Sequence, residues 1–227
     1  MNTGTEKIII AASILGADPL NLERDLKAVQ ETGQAEWVQV DVMDGLFAAN
    51  LSFGPDTVAA IKKKFPFFID VHLMMERPKN VLEAFARKGA DLITVHLEAK
   101  DNPEECLRLI KNLGVKAGLA VKPKTPIKEI FPFLELLDLV LVMTVEPGFA
   151  GQGFLESCLP KIEEARRMIQ KAGGGRWLEV DGGINDQTAP KAARAGADVL
   201  VCGSALFREP PKITLARMRE TIQKTLK

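Results

Sequence analysis

The chain contains no tyrosine, two histidines and three cysteines. The missing phenol removes one common acid/base group from any active site. Cys106, Cys158 and Cys202 are odd in number, widely spaced and form no C-x-x-C pair. That argues against a disulfide framework or a zinc–thiolate site, and reads as reduced thiols in a cytoplasmic protein. An excess of charge of one sign is also lacking, since 30 basic residues balance 30 acidic ones. Nothing recruits nucleic acid or an anionic membrane, so any anion must be bound by a local site. Long hydrophobic runs are absent too. The stretch Leu136 to Val145 is broken by Asp138 and falls far short of a membrane span. The apolar run after Lys7 is too short for a signal peptide. No linker, low-complexity tract or charge block divides residues 1–227, which predicts a single domain.

What is present is a regular alternation. With 46% hydrophobic and 26% charged residues, the composition is that of a soluble protein with ample core. Strand-like runs fall at Ile8–Ser13, Trp37–Met43, Phe68–Met74, Leu92–His96, Lys116–Val121, Leu139–Thr144, Trp177–Val180 and Val199–Cys202. Helix-like segments separate them: Asn21–Thr32, Pro55–Phe65, Pro78–Lys88, Pro103–Leu113, Ile127–Leu134, Pro160–Ala172, Gln187–Ala195 and Lys212–Leu226. Several open on proline, which the first helical turn tolerates because that N–H has no partner anyway. Gly89-Ala90-Asp91 and Gly196-Ala197-Asp198 each end a helix and lead into a strand, a weak internal repeat. Eight strands alternating with eight helices predict an α/β fold of the (β/α)8 TIM-barrel type. A doubly wound sheet suits fewer strands and a smaller chain.

Polar residues collect where these strands end, and in such a barrel the C-terminal strand ends form the active face. Side chains alternate along a strand. In the second strand Val38, Val40 and Val42 share the face suited to helix packing, so Gln39, Asp41 and Met43 point inward. By the same parity Asp70, His72 and Met74 align, as do Leu141 with Met143 and Glu179 with Asp181. Burying two carboxylates together is costly unless a cation or a shared proton offsets their repulsion. One divalent metal ion held by Asp41, His72 and Asp181 meets that need. The mixed N/O donors suit Zn, Fe(II), Mn or Co without choosing among them. His96 and Glu98 lie outside this cluster and read as supporting residues.

Glycines supply an anion site. Pro147-Gly148-Phe149-Ala150-Gly151-Gln152 follows the sixth strand, Gly182-Gly183 the seventh and Gly203-Ser204 the eighth. Backbone N–H groups at glycine can approach a phosphate unobstructed, and the last two loops are the usual phosphate grip of this fold.

Ala11-Ala12-Ser13-Ile14-Leu15, Val40–Gly45, Asp70–Met74, Val142–Phe149, Val180–Gly183 and Gly203-Ser204 resemble the ribulose-phosphate 3-epimerases, in unbroken order over nearly the whole chain. The resemblance implies interconversion of ribulose 5-phosphate and xylulose 5-phosphate. It implies that Asp41 and Asp181 are the two acid/bases and bind a divalent metal with His72. It implies that Ser13, His72, Gly148, Phe149, Ala150, Gly151, Gly182, Gly183, Gly203 and Ser204 contact the sugar phosphate. Met43, Met74 and Met143 would pack around the reacting carbons. The departures cluster at the mouth. Gln39 stands where the family has another metal-binding histidine, and Leu46 and Ala49 replace a usual histidine and proline. Ala12, Glu146 and Ala150 replace a usual proline, asparagine and glycine. The amide oxygen of Gln39, as a fourth ligand, is a weak neutral donor, poor for Zn and acceptable for harder ions.

The expected function is therefore a ribulose-5-phosphate 3-epimerase, an isomerase of carbohydrate metabolism, expected as a homo-oligomer with neither nucleic acid nor membrane as partner. Leu46 and Ala49 raise a six-carbon ketose phosphate as an alternative. Gln39 raises a non-catalytic sugar-phosphate-binding relative. A decarboxylase or aldolase-type barrel lacks a suitably placed lysine, since Lys122 precedes a proline and reads as a loop residue.

Overall fold

The computed structural model describes residues 8–227. Its strands are β1 (Ile9–Ser13), β2 (Trp37–Met43), β3 (Phe68–Met74), β4 (Leu92–His96), β5 (Lys116–Val121), β6 (Leu139–Met143), β7 (Trp177–Asp181) and β8 (Val199–Cys202). All pair in parallel, in chain order, and β8 closes on β1. The (β/α)8 barrel expected from the alternation is the fold.

Local chemistry accounts for the helices. In α1 (Leu22–Thr32) Leu26 and Val29 bury one stripe, and Gly33 at φ 61° ends the helix. Such a left-handed terminus costs a β-carbon-bearing residue and glycine almost nothing. Proline opens α2 (Pro55–Lys64) and α4 (Pro103–Asn112), and the Asn102 side chain caps α4 by accepting from the N–H of Glu105 at 3.2 Å. The remaining helices are α3 (Leu82–Arg87), α5 (Leu159–Lys171), α6 (Ala189–Arg194), α7 (Ser204–Phe207) and α8 (Pro211–Leu226).

Three connections differ from the sequence expectation. Ile127–Leu136 is a 3-10 helix with Pro132 inside it, and proline removes the donor an α-helix needs there. Pro78–Lys88 divides into a 3-10 turn, Pro78–Asn80, followed by α3. The short α7 was not expected at all, because Gly203-Ser204 read only as a loop.

The core has two shells. Val38, Val40 and Val42 face outward to meet helix residues such as Val58 and Ile61. Ala11, Leu92, Leu141, Met143 and Val201 fill the barrel itself. At its N-terminal floor Trp37 stacks on Phe68 with centroids 4.3 Å apart and meets Trp177 edge-on at 4.8 Å. This aromatic plug leaves the C-terminal strand ends as the open end of the barrel. All three cysteines are free and buried, and burial raises the thiols of Cys106 to about 11 and Cys202 to about 12. Among the described residues no helix is long and apolar enough to cross a membrane.

Candidate active site

Parity along the strands places the chemistry as the sequence suggested. The β2–β3 register sets Asp41 beside His72 and Met43 beside Met74, and the β6–β7 register sets Met143 beside Asp181. Asp41 and Asp181 come from strands that are not neighbours, so they approach each other across the mouth. Both converge on one imidazole nitrogen: His72 Nδ1 lies 2.9 Å from Asp41 Oδ1 and 3.7 Å from Asp181 Oδ2.

Above them a cleft opens at the mouth of the barrel. Ser13, Asp41 and Asp181 line it together with Met43, Met74 and Met143. Gly148, Phe149, Ala150 and Gly151 form one wall, and Gly182, Gly183, Gly203 and Ser204 another. Among the described residues no lysine or arginine lines the cleft, which leaves backbone and hydroxyl groups to meet an anion here. His72 lies just beneath the cleft, fully buried. The same cleft takes in Leu15, Gly16, Val145, Ile184 and Val201, which sequence reading did not single out.

The two carboxyls have unlike surroundings. Ser13 donates to Asp41 Oδ2 at 2.6 Å, and Ser52 donates to the Asp41 carbonyl at 2.6 Å. Asp181 is pushed up to about 8, first by burial and then by the charge of Asp41, with His72 opposing. For His72, burial works against the cation, but the hydrogen bond and charge of Asp41, with Asp181 and Asp70 behind, raise it overall. Thr144, noted from sequence only as a polar strand end, fastens the next turn by donating to the Gly182 carbonyl at 2.6 Å.

One donor atom each from Asp41, His72 and Asp181 lies within 4.8 Å of the others. Two carboxylate oxygens and one imidazole nitrogen form a donor set for a divalent cation, and the mutual repulsion that lifts Asp181 is what a cation relieves. Gln39 lies one step below. Its Nε2 donates to Glu179 Oε1 at 2.7 Å and reaches Asp70 Oδ2 at 3.3 Å, while its Oε1 is buried without a partner. Burial, followed by the charge of Asp70, pushes Glu179 well up. The amide nitrogen thus serves two buried acids, and only the oxygen is left to face a cation.

Leu46, 72% exposed, turns out to solvent, and neither it nor Ala49 lines the cleft. The motive for a six-carbon substrate therefore falls away. The Lys122 ammonium rests 3.8 Å from the centroid of Phe47, and among the described residues no lysine lines the cleft as a Schiff-base nucleophile would.

Two carboxyls from strands that are not neighbours thus meet at one imidazole beside three thioethers, an arrangement of groups able to give and take protons. Residues 9–207 match the ribulose-phosphate 3 epimerase family. The chain belongs to that family. A ribulose-phosphate 3-epimerase of Bacillus subtilis is 47% identical over 201 residues, covering 88% of this chain and 92% of the relative. One from Synechocystis is 43% identical over 208 residues, covering 91% and 90%. Among solved structures, a 3-hexulose-6-phosphate synthase from Salmonella typhimurium superposes with a TM-score of 0.71, covering 96% of this chain and all of that one. Its 17% identity makes this a likeness of fold alone.

Proposed function

We infer that this member of the family is itself a ribulose-5-phosphate 3-epimerase, an isomerase that interconverts D-ribulose 5-phosphate and D-xylulose 5-phosphate. The observation that carries the reading is the convergence of Asp41 and Asp181 on His72 beneath one cleft at the barrel mouth. The barrel acts as one domain serving this site. The phosphate is held by the backbone of Gly182-Gly183 and Gly203-Ser204, with the Gly148–Gly151 segment closing over it. The ketose then lies with C3 between the two carboxyls. One carboxylate removes the C3 proton, leaving a planar enediolate. The other carboxyl delivers its own proton to the opposite face, so the stereocentre inverts and the two groups exchange protonation states. Each acts as base in one direction and acid in the other. Met43, Met74 and Met143 exclude water without offering hydrogen bonds that would trap the intermediate. Ser13 holds Asp41 in place.

Asp41, His72 and Asp181 would hold a divalent ion, with Gln39 Oε1 as a weak fourth donor. Such an ion supplies Lewis acidity toward the carbonyl and hydroxyl oxygens on which negative charge develops. The ion's identity among Zn, Fe, Mn and Co follows from affinity and supply rather than from these donors alone.

The direct test is turnover of ribulose 5-phosphate in D2O by the full chain supplied with each of these ions. The expected result is xylulose 5-phosphate carrying deuterium at C3. Absence of turnover with every ion would overturn the reading in favour of a non-catalytic binding protein. Chelation is expected to lower the rate by roughly 10²-fold or more, because Lewis acidity contributes several kcal/mol, and re-addition of the ion to restore it. Gln39→His is expected to tighten Zn2+ binding by roughly tenfold or more, since imidazole is a stronger donor than an amide oxygen. It should also lower the unfolding temperature, because Glu179 loses its donor. Calorimetric titration and a thermal melt read the two effects separately.

A further inference from the structure

The second nitrogen of His72 does not face the cleft. His72 Nε2 meets His96 Nε2 at 2.9 Å, and His96 Nδ1 meets Glu98 Oε2 at 3.1 Å. Glu98 Oε1 accepts the backbone N–H of Lys122 at 2.7 Å and also the hydroxyl of Thr125. The loop bearing those donors is pinned in turn: Lys161 Nζ donates to the carbonyls of Lys122 at 3.0 Å, Pro123 at 2.6 Å and Thr125 at 2.6 Å. Both imidazoles are buried.

Donor counting gives this chain of contacts a direction. A backbone N–H can only donate, so Glu98 Oε1 must accept. An ionised carboxylate accepts at both oxygens, so the His96 nitrogen facing it carries the proton. Burial of Glu98 works against its charge, but its bonds to His96, Thr125 and the Lys122 N–H hold it down to about 2, so it is ionised at neutral pH. With Nδ1 protonated in neutral His96, Nε2 is bare and can only accept. His72 Nε2 must then donate, and its Nδ1 is the nitrogen left for the cleft.

We propose that Glu98, acting through His96, is a positioning residue that fixes the His72 tautomer and thereby presents the Nδ1 lone pair to the cation held between Asp41 and Asp181. The proposal rests on the metal-holding reading of those residues given above. A carboxylate behind a ligating imidazole orients the ring and raises its basicity. Here the support crosses two rings in series. Neither His96 nor Glu98 lines the cleft, and the hydrogen-bonded route from Glu98 to it runs through His72.

Glu98→Gln keeps the shape and reverses the logic. The Lys122 N–H requires the amide oxygen to stay on its side, which turns the –NH2 toward His96 Nδ1. His96 must then accept there and carry its proton on Nε2, so His72 Nε2 must accept as well. His72 can then hold a proton only on Nδ1, against Asp41 and on the atom the ion needs. The chain has only two histidines, and both lie in this relay, so 15N-histidine NMR of the chelator-stripped full chain reads the whole arrangement from four nitrogens.

In the native protein, His96 is expected protonated on Nδ1 only and His72 protonated on Nε2. In Glu98→Gln the His96 proton moves to Nε2 and His72 loses its Nε2 proton while keeping the Nδ1 proton that meets Asp41, Zn2+ affinity by calorimetry falls by roughly 10–100-fold, and the metal-free unfolding temperature changes little. A purely structural role for Glu98 would lower that temperature without moving these protons. Native protein with His96 protonated on Nε2 overturns the proposal with no variant required. So does that proton shift in the variant with Zn2+ affinity retained. If native protein shows the expected tautomers yet binds no divalent ion, the fault lies in the metal-holding reading, and the proposal falls with it.

Discussion

Asp181→Asn is expected to lower epimerisation by at least about 10²-fold and at the same time to make the metal-free protein harder to unfold at alkaline pH. The first effect follows from its proposed place as one of two proton-transferring groups, a role whose loss costs roughly 10²–10⁴-fold in rate. The second follows from burial. The Asp181 carboxyl sits among Asp41 and Asp70, and its pKa stands near 8 against 3.8 for the free side chain. Below about pH 4 both folded and unfolded forms carry the proton, and the residue has no cost. As pH rises toward 8 the unfolded form ionises while the native form keeps its proton, so stability falls over this window and stays reduced above it. Each unit of difference is worth about 1.4 kcal/mol. Relaxation and water in the cleft discount the sum, and a net gain of about 2–4 kcal/mol for the variant at pH 8.5 is expected. For a chain of this size that is an increase of roughly 5–10 °C in unfolding temperature. Little opposes it, because Asn conserves volume and the side chain has some access to the cleft. Melts of native protein and variant at pH 5 and pH 8.5, each with excess chelator, test this. A gap that fails to widen with pH, or a variant keeping a tenth of native activity, removes the assignment of Asp181 as a buried acid/base.

Gly183→Ala is expected to unfold the phosphate end of the site. Gly183 has φ 68°, a conformation that L side chains rarely adopt, and a β-carbon there would run into the backbone of Phe154. The turn cannot slide away, because the Gly183 carbonyl accepts from Thr188 Oγ1 at 2.8 Å. Left-handed strain of about 1–3 kcal/mol and overpacking of similar size add up. A loss of about 3–4 kcal/mol, or roughly 10 °C, is expected, with KM for the sugar phosphate raised at least about tenfold where the turn no longer grips the anion. Gly174→Ala is the matched control. Gly174 has φ 70° but open space around its β-carbon position, and it lies beyond α5 at the barrel's other end. It should cost about 1 kcal/mol of strain and leave kcat/KM untouched. Equal effects at the two positions would mean that backbone strain alone, not the phosphate grip, governs Gly183.

The barrel was legible because its signals are short-range. Period-two alternation in Trp37–Met43 assigns Val38, Val40 and Val42 to one face and Gln39, Asp41 and Met43 to the other, whatever the neighbours are. The glycine clusters after the sixth, seventh and eighth strands were legible for the same reason, since each sits at a strand end. The 3-10 course of Ile127–Leu136 was not, although Pro132 was the available warning. The short α7 was hidden because four residues carry too little periodicity to register.

By itself the sequence determined which side chains of each strand share a face, and that Asp41, His72 and Asp181 each lie near the C-terminal end of a strand, because parity and position along a strand are properties of consecutive residues. Only the closed tertiary structure decided their partners. Gln39 reads as a ligand candidate in the chain, yet its amide nitrogen is taken by Glu179, 140 positions away. His96 and Glu98 read as supporting residues without a stated partner, and closure of β3 against β4 brings them behind His72. Lys122 ends a strand pointing toward the mouth, and a phenyl ring draws its charge aside. Hydrogen bonds and ion contacts act over about 3 Å, so which groups meet depends on strand register and barrel closure, and these arise only when distant segments pack together.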